Sequence, residues 1–365
     1  MSETEATKYT QHQALLPVPD LEGVTERKGT DLTEKQEDCL QKVLDHFSTS
    51  DYVLPEAEDG KLLEEEKYWL SYECLLRYLR ATKWASPEVA IKRLEATLRW
   101  RREFGFYTTV TPEYCEPEAV TGKCITFGYD VDGRPALYLV PSRQNTSESI
   151  RQIHFTIWML ERTIDLMGPG VESGTLTLMI NFADRAKNPS ISTSRTVLDI
   201  LQTHYPEHLG RAVIINLPFL INAFFKIITP FVDPITRPKM KFNPQVVPDG
   251  LFTANQCWKE FGGNCEFVYN HEIYWNSLLT LCNEKKKVQM KRWRQLGAKV
   301  GIKEWDVRRP LDEKAEGEIM HEETGLASEK TPSVQVAEVK ESQESNEKIP
   351  VTTSVSEVPV AVAAC

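Results

Sequence analysis

Apolar and polar positions along this chain follow two different periods, and the change of period divides it. Residues 1–35 are polar and loop-like, with Pro17 and Pro19. From Glu34 to Arg102 the apolar positions recur at helical spacing. Leu75, Leu76 and Leu79 make one stripe, and Ile91, Leu94 and Leu98 another at i, i+3, i+7. Such stripes most often serve core packing. Ser86-Pro87-Glu88 reads as an N-cap, a proline at the first helical position and an acidic first turn.

From Lys123 the period shortens. Cys124 to Tyr129 predicts a strand, Asp130-Val131-Asp132-Gly133 a turn, and Arg134 to Val140 the return strand, because Asp-Gly is a strong hairpin signal. Ile150, Ile153, Ile157, Leu160, Ile164 and Met167 then recur at steps of three and four, predicting a long helix that Gly168-Pro169-Gly170 ends. Thr175 to Phe182 is a nearly continuous apolar strand, the pattern of a sheet covered on both faces. A helix over Ser192 to Gln202, a strand over Arg211 to Asn216, an apolar helix over Leu217 to Pro230, a short strand over Met240 to Phe242 and a helix from His271 to Leu296 follow. Strands alternating with helices predict an α/β fold with a mostly parallel or mixed sheet. No internal repeat is visible.

Composition narrows the class. With 365 residues, 41% of them hydrophobic, the chain can bury a sizeable core, which excludes wholesale disorder. No run reaches the 18 or more apolar residues of a membrane-spanning helix. Met1 to Glu5 carries neither the basic nor the apolar part of a secretory signal, so an intracellular protein is expected. The net charge of −10 is localised: residues 310–365 hold twelve acidic residues against four lysines and no aromatic side chain. That segment is expected to be a disordered acidic tail. No basic stripe interleaves with aromatic residues, so nucleic acid is not expected as a partner. The eight cysteines form no CxxC pair and are read as free thiols.

An α/β chain of this size invites an enzyme reading, yet the usual motifs are absent. There is no phosphate-binding glycine loop of the G-x-x-x-x-G-K type, no G-x-S-x-G elbow and no H-E-x-x-H pair. Gly168-Pro169-Gly170 follows a helix rather than a strand and does not fit a dinucleotide fingerprint. No catalytic residue, no metal and no cofactor are expected.

The most unusual stretch runs from Leu217 to Val232, with four phenylalanines and apolar residues nearly all round the helix. About 14 residues span only about 21 Å, too short for a bilayer. A helix apolar on every face is either a central core helix or one that meets lipid. In the second reading it is a lid, with one face on an apolar cavity and the other on a membrane. Beyond it, Asp233, Pro234 and Thr236 fit the N-cap, N1 and N3 positions of a short helical turn. Such a turn start attracts phosphate, to which Thr236 can donate and Lys239 can add a full charge. The alternative is an ordinary capped turn with a solvated lysine.

Taken together, six segments resemble the CRAL-TRIO lipid-binding family, in particular the sterol-binding branch of the fungal phosphatidylinositol transfer proteins. They are Leu75 to Trp84, Tyr129 to Pro135, Tyr205 to Gly210, Ile214 to Pro218, Phe231 to Thr236 with Lys239, and Phe261-Gly262-Gly263. They occur in the family's order over roughly Cys74 to Phe267. The resemblance implies a helical lobe over residues 36–110 and a lipid-binding α/β lobe over 120–270, then a C-terminal helix and basic segment over 271–309. It also implies a deep apolar pocket above the sheet, closed by a gating helix similar to Leu217 to Val232. Pocket and gate residues would include Leu176, Leu178, Phe219, Phe224, Phe225, Ile228 and Phe231. The headgroup site carries over to Lys83, Glu207, Thr236 and Lys239, with Arg80 contributing charge.

Two departures from the family pattern matter. Members with two adjacent basic residues in the first motif have arginine where this chain has Thr82. Members that also carry phosphatidylcholine place Ser and Thr where this chain has Leu176 and Leu178, and leucine cannot hydrogen-bond a buried phosphate. The resemblance therefore implies phosphatidylinositol with sterol, rather than phosphatidylcholine, as second ligand. The expected localisation is cytoplasmic with peripheral membrane association, at the endoplasmic reticulum, lipid droplets or cell periphery. Ten lysines and arginines between Lys285 and Arg309 suggest docking on anionic lipid, or simply a solvated helix end. The rival function is a regulator that presents lipid to a partner enzyme.

Overall fold

The computed structural model describes residues 9–15, 31–57, 59–169, 174–183, 191–217 and 236–309. The expected gate, with Phe219, Phe224, Phe225, Ile228 and Phe231, lies outside the described residues, as do Asp233, Pro234 and the expected acidic tail.

The first half is helical, as the period predicts. α1 (Glu34–Ser48) begins at a capping box: the Thr33 hydroxyl accepts the Gln36 N–H, and the Gln36 side chain accepts the Thr33 N–H. α2 (Glu64–Trp69) is short, and α3 (Tyr72–Ala81) starts at Ser71, whose hydroxyl accepts the Cys74 N–H at 3.0 Å. α4 (Pro87–Glu103) has Pro87 in its first turn, but the Ser86 side chain does not cap the backbone as predicted. Val43, Phe47, Leu75, Leu79, Leu94 and Leu98 close into one apolar cluster. The two predicted stripes are thus core, with Leu76 and Ile91 at the margin. α5 (Pro112–Ala119) links this cluster to the sheet.

β2 (Cys124–Tyr129) and β3 (Pro135–Leu139) form the predicted antiparallel hairpin. β4 (Leu176–Asn181), β5 (Leu209–Ile215) and β6 (Met240–Phe242) extend it in parallel, in the order β2-β3-β4-β5-β6. The sheet is therefore mixed, and α6 (Ile150–Asp165) and α7 (Ile191–His204) are the helices between its strands. The register pairs Leu137 with Leu178 and Leu178 with Ala212, so these side chains share one face. Thr126 shares it too, and its hydroxyl lies 2.6 Å from that of Thr163 on α6. On the opposite face Tyr138 stacks on Trp258, which stacks on Phe267. Both faces are covered, which is why the strands read as continuous apolar runs.

α8 (His271–Gln295) spans the predicted last long helix, and α9 (Glu304–Arg308) returns to the helical half, where Arg77 meets Glu304 at 2.7 Å. Two strands were unexpected. β1 (Thr10–His12), inside a stretch predicted to be loop, pairs in parallel with β7 (Cys265–Phe267). Their pairing is made by backbone groups, so a hydrophobicity pattern carries no sign of it. The predicted helical turn before Lys239 is, over the described residues, a 3₁₀ turn of Arg237–Lys239 following Thr236.

Candidate functional site

The predicted headgroup residues meet where α7 ends and β5 begins. Arg93 of α4 closes the end of α7, donating to the carbonyls of Gln202 at 2.7 Å and Thr203 at 3.1 Å. The chain then turns through Glu207, a non-glycine residue in the left-handed region at φ 62. That turn aims the Glu207 carboxylate at Arg80 of α3, which donates from Nε at 2.7 Å and reaches it from Nη2 at 2.6 Å. Two residues on, the Leu209 carbonyl accepts the Lys239 ammonium at 2.6 Å. The Lys239 N–H in turn donates to the Thr236 carbonyl at 3.0 Å. Arg80, Glu207, Lys239 and Thr236 thus belong to one corner, reached from three separate parts of the sequence.

Lys83 joins this corner only through the backbone. Its N–H bonds the Arg80 carbonyl at 2.8 Å, and its side chain is exposed. Lys83 and Trp84 are both left-handed, at φ 55 and 56, which turns the chain sharply after α3. Thr82, where an arginine would stand in other members of the resembled family, donates its hydroxyl to the Tyr78 and Leu79 carbonyls. It closes α3. Leu176 and Leu178 are buried, 3% and 8% exposed, and bring no polar atom to their face of the sheet.

A second polar cluster carries the turn motif, and sequence reading assigned it no role beyond the turn. Asp130 is wholly buried and accepts from five donors: the Asp132 and Arg134 N–H groups, the Thr177 hydroxyl at 2.7 Å, and the guanidinium groups of Arg134 and Arg211. Asp132 shares both arginines, at 2.5 and 3.2 Å. Gly210 leaves the room: a Cβ there would lie 2.5 Å from Arg134 Nε. The available signal was an arginine at the start of an apolar strand together with two aspartates on a hairpin turn.

Neighbouring histidines are held neutral. Burial, then Arg77, pushes His208 down to about 3, and its Nδ1 lies 3.0 Å from the Gly174 carbonyl. Burial, then Arg93, pushes His204 down to about 4, and its ring stacks on Trp100 at 4.0 Å. Burial alone would raise the Glu161 carboxyl, but Arg101, at 2.8 Å, and the Tyr205 hydroxyl, at 2.6 Å, hold it down to about 2. The Tyr205-Pro206-Glu207-His208 segment is therefore where the sheet is tied to the helices. Among the described residues no group of His, Cys, Asp and Glu is arranged to hold a metal, and no helix is long and apolar enough to cross a membrane. The seven cysteines described are buried and free.

Comparison with known proteins fits this architecture. Residues 119–263 match the CRAL/TRIO domain, and residues 39–96 match the CRAL/TRIO N-terminal domain. The chain is 34% identical over 305 residues to the phosphatidylinositol transfer protein PDR17 of Saccharomyces cerevisiae, covering 77% of this chain and 86% of that one. The chain belongs to the CRAL-TRIO family. A CRAL-TRIO domain-containing protein of Schizosaccharomyces pombe is 44% identical over 300 residues, 81% of this chain, and the match spans only 29% of that longer protein. The SEC14 cytosolic factor of Candida glabrata is 28% identical over 211 residues, covering 51% of this chain and 70% of that one.

Within this CRAL-TRIO chain the basic stretch from Lys285 to Arg309, read as docking on anionic lipid or as a solvated helix end, is in part turned inward. Lys285 donates inward to the Leu166 carbonyl at 3.0 Å, and Lys286 lies 3.8 Å from the centre of the Tyr68 ring. Arg292 donates to the Val307 and Arg309 carbonyls, Arg294 pairs with Glu64, and Arg308 pairs with Glu304. Lys285, Arg292 and Arg294 thus hold helices together, because a long α8 needs polar partners on the sides it presents to α2, α6 and α9.

Proposed function

We propose that this chain carries phosphatidylinositol between membranes, exchanging it through a gated apolar pocket, with sterol as second ligand. The observation that carries the reading is the corner joining Arg80, Glu207, Lys239 and Thr236. A diacyl lipid has about 30 methylenes, and exposing them to water costs roughly 25 kcal/mol at about 0.8 kcal/mol each. An apolar pocket removes most of that penalty, and a few polar groups at one end then set specificity. Lys239 pairs with the headgroup phosphate, because a charged acceptor outcompetes a neutral carbonyl. Thr236 and Lys83 add donors beside it, and Glu207 accepts from inositol hydroxyls while holding Arg80. The segment from Leu217 to Val232 acts as the gate, which opens at the bilayer and closes for diffusion, and no bond is made or broken. The similarity to a protein named for phosphatidylinositol transfer supports the ligand class.

Transfer between donor and acceptor vesicles tests this directly. Lys239→Ala is expected to lower phosphatidylinositol transfer at least about tenfold, the factor that about 1.4 kcal/mol of lost headgroup interaction gives, and to leave sterol transfer intact. Equal loss of both would refute the headgroup assignment. Leu176 and Leu178 support sterol over phosphatidylcholine, since neither can satisfy a buried phosphate. Phosphatidylcholine exchange as fast as that of phosphatidylinositol would overturn that preference.

A further inference from the structure

A second concentration of positive charge lies away from the headgroup corner, where the end of α6, the middle of α8, α2 and α9 meet. Arg162 of α6 pairs with Asp165 at 2.8 Å, but its Nε is buried without a hydrogen-bond partner. Arg308 of α9 pairs with Glu304 at 3.1 Å, and its Nε is likewise buried and unpartnered. Lys286 of α8 stands over the Tyr68 ring at 3.8 Å, a contact that supplies attraction but no acceptor. Tyr68 itself donates to Gln289 at 2.7 Å, and Arg308, Asp165 and Glu304 are its charged neighbours.

The carboxylates nearby are already engaged. Glu304 is shared with Arg77 at 2.7 Å and accepts the Ser71 hydroxyl at 2.9 Å. Glu161 is taken by Arg101 and Tyr205. Glu73, whose carboxyl burial and Glu304 push up, accepts the Glu304 N–H. Lys285 has a structural explanation, since it caps the end of α6 through the Leu166 carbonyl, a position that favours a cation. Lys286, Arg162 Nε and Arg308 Nε have none. Donors from three different helices, with more positive charge than the local carboxylates neutralise, call for an acceptor from outside the chain.

We propose that this cluster binds a phosphate group, with Lys286, Arg162 and Arg308 as its donors. A phosphate offers several oxygens in different directions and more than one negative charge, which suits two guanidinium edges and an ammonium better than a single carboxylate does. The same chemistry is carried by a free phosphorylated solute and by an anionic lipid headgroup. The site does not depend on the headgroup corner.

Isothermal titration of the full chain with inorganic pyrophosphate, with citrate, and with vesicles that contain phosphatidic acid tests the proposal. Pyrophosphate is expected to bind, about tenfold more weakly to Lys286→Met, and unchanged to Lys35→Met at an exposed position. Binding of the vesicles alone, lost in Lys286→Met, also supports the site and identifies a lipid headgroup as the source. Citrate binding as tight as that of pyrophosphate would overturn the phosphate assignment. So would pyrophosphate binding that Lys239→Ala removes and Lys286→Met does not, and so would no Lys286-dependent binding of either probe. Where Lys286→Met fails to fold, amine acylation of the unaltered chain reads the same question. Pyrophosphate or the vesicles should protect Lys285 and Lys286, with exposed Lys35 as reference, and absence of protection refutes the site.

Discussion

Leu209 and Arg211, two residues apart on β5, belong to two charged clusters of opposite character. Arg211 enters the Asp130 cluster, where the carboxylate is 0% exposed and the two arginines are 13% and 16% exposed. Every direction around that carboxylate is taken by a donor from the chain itself. Leu209 enters the corner of Lys239, where Arg80 and Glu207 are 34% and 27% exposed. Asp130 at the centre of the first cluster is saturated and dry, so it fixes the hairpin against β4 and β5 and has no capacity for a ligand. The second stands at the water's edge and draws on three separate segments, so its members can exchange partners. Family motifs in one chain therefore divide into those that hold the frame and those that stay at its edge, and the number of donors already engaged separates them.

The largest test of that division is Asp130→Ala. It leaves Arg134 and Arg211 without their buried carboxylate and is expected to cost about 3–5 kcal/mol in urea unfolding. A cost under about 1 kcal/mol would mean the cluster is not the frame. Gly210→Ala comes next, because its Cβ falls 2.5 Å from Arg134 Nε and 2.8 Å from the Thr175 hydroxyl. About 1–3 kcal/mol is expected, measured by the thermal midpoint, and combining it with Asp130→Ala should cost less than the sum, since both act on Arg134.

His208, beside Glu207 with its ring on the Gly174 carbonyl, sharpens the contrast through pH. Its folded value is about 3 against 6.5 when unperturbed. Below pH 6.5 the unfolded chain therefore takes a proton that the folded chain refuses. Stability must fall as pH drops from 6.5 toward 3, by at most about 1.4 kcal/mol per unit for this group. His208→Gln is expected to flatten the slope measured between pH 6.5 and 5.5, and an unchanged slope would place the titration elsewhere. The smallest effect belongs to Glu207→Gln, where a partly exposed ion pair predicts less than about 1 kcal/mol by chemical denaturation. A loss as large as that of Asp130→Ala would erase the distinction between the corner and the frame.

Much of this architecture was readable from periodicity. Apolar patterning located β2 to β6, α6, α7 and α8 to within a few residues and the helical stretch from Glu34 to Arg102, but not α5 or α9, because burial on one stripe or on both faces leaves a local trace in the choice of side chain. Polar pairing leaves no such trace. Arg80 and Glu207 stand 127 positions apart, and neither residue's neighbours announce the other. Asp130 read as a turn residue, which it is, while its partners Thr177 and Arg211 read only as members of apolar strands. The left-handed Glu207, Lys83 and Trp84 were hidden for the same reason, since the contacts that hold them there come from distant parts of the chain. The proposed headgroup residues were reached through family resemblance, and their grouping depended on the fold.

The pairing of Thr10 with Cys265 sets a schedule for synthesis. At roughly 5–20 residues per second, the ribosome makes the partner of β1 about 13–50 seconds after β1 itself. Throughout that interval β1 has no edge to join, and the strands made in between must assemble without it. Its closing stitch is made by a strand translated long before its partner.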